Sequence, residues 1–156
     1  MVVILGHMDI SGWLTVLMRF LHIASVVALI GGAFYARTAL TPVLNALPEP
    51  QRATAAESAQ GRFRTTLFVL LILVVFSGLY SFLTGPKHTA PWHMAFGIKM
   101  LLVLHILATA ILWATSPYGD VAVDGKGKRR LASIVISGFL AILVASYLRH
   151  LTAQGL

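Results

Sequence analysis

Cysteine is absent from the 156 residues, which removes disulfides, thiolate metal sites, c-type haem attachment and iron–sulfur clusters at once. Any metal held by this chain must use His, Met, Lys or oxygen. Charge is almost as scarce. Charged residues make up 11% and hydrophobic residues 58%, with a mean hydropathy of +0.84, whereas a soluble domain carries roughly a quarter charged residues. A cleavable leader is not expected, because "MVVILGHMDISGW" lacks a basic n-region and the apolar run after it is too long for an h-region. The first apolar segment is expected to insert as its own anchor. The sequence carries no convincing repeat, no second domain and no M-x-x-M or H-x-H cluster.

What it does contain is four apolar runs, at 13–40, 64–83, 92–115 and 131–151, each close to the ~20 residues that cross a bilayer. Short connections between them favour antiparallel neighbours. The expected fold is therefore all-α: a polytopic membrane protein forming one antiparallel four-transmembrane-helix bundle over residues 1–156, with the lipid bilayer as its surroundings. Pro50 is a plausible first helical residue and good helix formers follow it, so the second span is expected to extend about two turns beyond the membrane. "TGPKHTAP" reads as a tight turn and "SPYGDVAVDGKGK" as a Gly-rich loop.

The formal charge of +7 would suggest nucleic acid in a soluble chain. Here its placement reports topology instead, and no nucleic-acid partner is expected. Arg37, Arg52, Arg62 and Arg64 surround the first loop, and Lys126, Lys128, Arg129 and Arg130 the third, against Lys87 and Arg149 on the other side. By the positive-inside rule the first and third loops are cytoplasmic and both termini lie outside. Trp13, Trp92 and Tyr147 then fall near the outer interface, where aromatic rings bridge lipid and water.

Ionisable side chains within spans are costly and need a partner, so their depths matter. From Trp13, His22 lies roughly 13 Å deep; from Trp92, Lys99 lies roughly 10 Å and His105 roughly 20 Å deep. Arg19 sits one turn before His22, and two costly groups together suggest a polar cavity or an anionic ligand. His93, Arg149 and His150 fall at the rim, where they read as solvated interface groups, and His7 and His88 fall in water. Plainer readings stand beside these. His105 can hydrogen-bond a neighbouring helix, with Thr109 one turn away, and Lys99 can snorkel to the headgroups. The small residues Ala24, Ser25, Ala28, Gly31, Gly32 and Ala36 read as a close-packing ridge.

"FLHIASVVALIGGAFYARTALTPVL" resembles the first span of bacterial copper-resistance D (CopD-like) membrane proteins. "RFRTTLFVLLILVVFSGLY" resembles their second span, and "FGIKMLLVLHIL" their Lys-centred third. The same outline is shared by HemJ-type protoporphyrinogen oxidases, four-span proteins that bind haem b and depend on a first-span His and a third-span Lys. Those positions correspond to His22 and Lys99, with Arg37 where that family has an Arg. The HemJ pattern also has a His two residues before the Lys, where this chain has Gly97.

The resemblance implies a bacterial inner-membrane protein and leaves three readings. In the first, the bundle binds haem b in a redox or electron-transfer role, of which a porphyrinogen oxidase-like activity is one form. His22 is one axial ligand, His105 the expected second with Lys99 bordering the site as its rival, and Arg19 meets the propionates. A quinone, a porphyrin or a redox protein would be its partner. In the second it is a copper permease, with Met18 and Met100 near the right depth. In the third it is a structural subunit of a homo-oligomer or a larger membrane complex. The haem reading is the one favoured, because a haem needs two ligands at similar depth on facing helices and the first and third spans supply candidates.

Overall fold

The computed structural model describes residues 10–85, 89–116 and 125–154. His7, Lys87 and His88, placed above by sequence, lie outside them. Helix α1 runs Ile10–Tyr35 and continues through a π-helical turn, Ala36–Leu40, into α2, Thr41–Asn45. It is followed by α3 (Glu49–Leu83), α4 (Ala90–Ala114) and α5 (Gly125–Ala153). All described secondary structure is helical, and four stretches are long and apolar enough to cross a membrane. An exposed apolar exterior, including Phe20, Ile72, Phe76, Leu101 and Leu143, is what lipid rather than water would solvate. The helices alternate in direction. The start of α1, the end of α3, the start of α4 and the end of α5 share one end of the molecule, here the terminal end; the π turn lies at the other.

Two helices outrun their predicted spans. The first continuous helix covers Ile10–Asn45, 36 residues, and α3 covers 35, so each is about 50 Å long against a hydrocarbon core of about 30 Å. Residues 49–63, expected to contribute about two extra turns, add about four. At the far end Leu44 packs on Ala56, with Leu40, Leu47 and Ala55 around them. Likewise, α5 starts at Gly125 and takes up the Gly and Lys residues read as loop.

The π turn follows from Pro42. Proline has no N–H and its ring collides with the carbonyl four residues back, so the ladder opens before it. Thr41 answers with both of its donors: its backbone N–H and its hydroxyl bond to the Ala36 carbonyl, the latter at 2.7 Å.

The main core lies in the middle and at the π-turn end, where all four long helices meet. Leu29, Ile30 and Ala33 of α1, Leu67 and Leu71 of α3, Ile106, Ala110 and Trp113 of α4, and Leu131 and Ile134 of α5 pack together. Lipid gives helices no hydrophobic reason to associate, so close approach through small residues carries the packing. The predicted ridge divides accordingly. Ser25 and Ala36 are buried, and a Cβ on Gly32 would lie 2.8 Å from the Phe63 ring. Ala24, Ala28 and Gly31 face outward. Gly138 of α5 does for α1 what Gly32 does for α3, since a Cβ there would lie 2.7 Å from Ile30.

Toward the terminal end the bundle separates into two pairs. Thr15 of α1 meets the Tyr80 hydroxyl of α3 at 3.4 Å, and Trp92 and Ala95 of α4 pack with Leu148 and Leu151 of α5. Trp92 is buried in this contact, stacked on Phe96 at 5.0 Å, whereas Trp13 and Tyr147 are exposed as interfacial rings should be. A second stack, Phe96 on Phe82 at 4.8 Å, closes α4 against α3.

The arginines at the π-turn end do more than mark topology. Arg52 donates to the Leu47 carbonyl at 2.9 Å, closing the end of α2. Arg130 donates to the Leu112 carbonyl at 3.0 Å and to the Ser116 hydroxyl, closing the end of α4. Arg37 reaches the Lys128 carbonyl at 3.3 Å. Carbonyls left over at helix ends are natural partners for cationic donors.

Candidate functional site

Where the two pairs part, a cavity of about 430 Å³ opens between α1, α3, α4 and α5, within the size range of cofactor and small-molecule sites. Its walls are apolar except for His22, Lys99, Ser146 and Arg149. Among the described residues the acidic side chains are Glu49 and Glu57, both on the far extension of α3. Among the described residues the cavity is therefore basic without an internal counter-charge.

His22 is held by α3. Its ring nitrogen Nδ1 lies 3.1 Å from the Val74 carbonyl and 3.0 Å from Ser77 Oγ. A carbonyl only accepts, so Nδ1 carries the hydrogen; the Ser77 proton is directed back to the Leu73 carbonyl. In the neutral ring this leaves Nε2 with the lone pair, the form in which a histidine binds metal or accepts a proton, and His22 lines the cavity. Gly78 makes the approach possible, because a Cβ there would lie 3.1 Å from His22 Cε1. The Ser-Gly pair closing the second span thus cradles the histidine of the first. Sequence reading noticed that pair only as part of a family likeness.

Lys99 enters from α4, half-buried, and lines the same cavity as His22. Neither Lys99 nor Arg149 has a hydrogen-bond or ion-pair partner among the described residues. For a lysine at this depth in a span that is costly, and an anion or a ligand atom in the cavity would relieve it.

The structure thus brings His22 and Lys99 together. His105 lies elsewhere: it does not line the cavity, and its Nε2 makes a 2.7 Å hydrogen bond to Ser133 Oγ, joining α4 to α5 on an exposed face. Arg19 is exposed and also outside the lining, while Arg149, read from sequence as a rim residue, is part of it. Nor do Met18 or Met100 reach the cavity wall. No group of three or more His, Cys, Asp or Glu that could hold a metal is present among the described residues.

A second, much smaller cavity lies at the π-turn end, bordered by Thr41, Gln60, Phe63, Trp113 and Leu131. Gln60 donates to the carbonyls of Trp113 at 3.4 Å and Ser116 at 3.3 Å. Its Oε1 and the Trp113 Nε1 are buried without a partner among the described residues. The space is about 30 Å³, enough for a water, which needs about 10–15 Å³ by this measure. A water there can accept from the indole and donate to Gln60.

Compared with protein-family models, curated proteins and solved structures, the chain matches none.

Proposed function

We propose that this chain is a multi-pass protein of the bacterial inner membrane that binds haem b in the cavity at its terminal end and serves a redox or electron-transfer role. The carrying observation is the state of His22. Its Nδ1–H is tied to the Val74 carbonyl, its Nε2 has no hydrogen-bond partner among the described residues, and the residue lines a cavity of about 430 Å³. A carbonyl fixing the far nitrogen is how metal-ligating histidines are oriented. The donor set fits the group: His22 would hold the iron, with Lys99, an amine on the same cavity, as the second candidate ligand, and Arg149 would meet the propionates. Haem, when bound, supplies one-electron chemistry at the iron. The chain's own contribution is to orient the imidazole, exclude water with apolar walls and neutralise carboxylates.

This departs from the pairing of His22 with His105 expected from sequence. Lys99 shares the cavity with His22 and His105 does not, which favours Lys99 as the partner. The family likeness to HemJ-type proteins points the same way. The concentration of Arg and Lys at the π-turn end supports a cytoplasmic position for that end and an outside position for the termini. Labelling a Lys126→Cys variant from each side of oriented vesicles tests this, and modification from the outer face would reverse the orientation.

Absorption spectra of detergent-purified protein, oxidised and reduced, test the reading directly. A Soret band is expected, lost in His22→Ala and shifted from low-spin to high-spin in Lys99→Ala. His105→Ala should leave it as in the wild type. Purified protein that neither carries nor takes up haem would refute the assignment, as would a normal spectrum in His22→Ala.

A further inference from the structure

The wall of the large cavity is not equally covered. On α3 and α4 its residues, such as Leu71, Val74, Val103 and Ile106, are buried or half-buried. The exposed ones belong to α1 and α5: Ile23 at 63%, Val27 at 62% and Ile142 at 41%, with Ser146 and Arg149 beyond them. The α3–α4 side is shut by the Phe82–Phe96 stack. On the α1–α5 side the helices touch where Ile30 lies on Gly138, and that contact is the floor of the gap. Above it the flanking side chains are apolar and at span depth, so the gap faces lipid.

Antiparallel register carries the argument to the mouth. With Ile30 opposite Gly138, eleven residues toward the start of α1 is Arg19, and eleven toward the end of α5 is Arg149. Two arginines without partners among the described residues stand at one level, on the two helices that flank the gap. Guanidinium groups are suited to planar carboxylates.

We infer that the cavity exchanges its ligand sideways with the bilayer, through the gap between α1 and α5, and that Arg19 and Arg149 at the mouth take the two carboxylates of the ligand. The identity of that ligand as haem rests on the function proposed above; the lateral route does not. It gives Arg19, which lies off the cavity wall, a place beside Arg149, and it accounts for a basic mouth on an apolar slot.

The absence of native cysteine makes the route testable. Val27→Cys and Ile142→Cys, one on each flank, are joined by a flexible bismaleimide in haem-free protein in vesicles. Haem uptake should then fall at least tenfold relative to each single-cysteine variant given the same reagent; undiminished uptake would place the route elsewhere. A second measurement needs no haem. A Val103→Cys variant should react with a long-chain maleimide dissolved in the lipid and resist a charged, membrane-impermeant thiosulfonate. The reverse pattern means a cavity open to water and overturns the lateral route. If the lipid-dissolved reagent reacts as expected and the wild type binds no haem, the route stands and the haem assignment falls. For the mouth, Arg19→Gln/Arg149→Gln should release haem to an apo-globin acceptor at least tenfold faster with an unshifted Soret band, and Arg149→Lys should restore part of the retention. Unchanged release would remove the arginines from the proposal.

Discussion

The two ends of this bundle are built from the same four helices and do opposite things. At the π-turn end the helices converge on Ala33, Ala110, Leu131 and Ile134, and the remaining space is about 30 Å³, facing one orphan donor and one orphan acceptor. At the terminal end they part in pairs around about 430 Å³ lined with basic groups that meet no acid among the described residues. The contrast shows what sets helix spacing in lipid. Where Gly32, Ala36 and Gly138 allow backbones to approach, the bundle closes. Nearer the terminal end the pairs are held internally, by His22 on α3 and by Trp92 on α5, and the Phe82–Phe96 stack joins them on the α3–α4 side while the α1–α5 side stays apart.

The largest effect should come from destroying the convergence. Gly138→Leu places side-chain atoms where Ile30 already lies. Overpacking of this kind costs about 1–3 kcal/mol or more, read as a fall in thermal stability in detergent; Ile30→Ala in the same chain should recover part of it. A next, more selective change is Gly78→Val. It presses on the His22 ring rather than on the core, so it should shift or abolish the haem spectrum while costing less stability than Gly138→Leu. Equal stability losses would mean that the two glycines serve the same packing role.

At the tight end, a water bridging Trp113 and Gln60 predicts that Trp113→Phe lowers stability by more than about 1 kcal/mol, the worth of one hydrogen bond, because shortening this buried ring also leaves a cavity. A gain instead would show the indole N–H to be unsatisfied in the native protein. The smallest effect belongs to His105→Ala, which removes the bond to Ser133. Interhelical hydrogen bonds in membranes average about 0.6 kcal/mol, and the haem spectrum should not respond.

Hydropathy alone gave the four spans and their alternation, because in a bilayer every crossing segment must be apolar and internally hydrogen-bonded. The extensions at Asn45 and Gly125 were missed and the one at Glu49 was read too short, because there helices leave lipid and composition changes while backbone structure does not. Depth along the axis was also legible, which is why His22 and Lys99 were found. Azimuth was not. His105 and Lys99 point about 120° apart on one helix, and α4 is apolar on every face, so no polar stripe marks which side meets the bundle. The roles of Ser77 and Gly78 were hidden for another reason: a small residue's importance lies in what comes to rest against it, and that partner is 55 positions away for Ser77.

One turn of backbone sets the phase of the whole first helix. Its buried positions run 25, 29, 30, 33 and 36, then jump by five to 41 before resuming at 44. A regular helix would bring the next inward position three or four residues on. The extra residue in Ala36–Leu40 therefore acts as a rotational offset of about 100°, letting one unbroken rod direct Ser25, Leu29 and Ala33 into the bundle within the membrane and Thr41 and Leu44 onto α3 beyond it. Removing a single residue there would leave both segments helical and apolar and their composition almost untouched, yet they would be out of step: with Thr41 and Leu44 seated, the His22 ring would turn away from Val74 and Ser77.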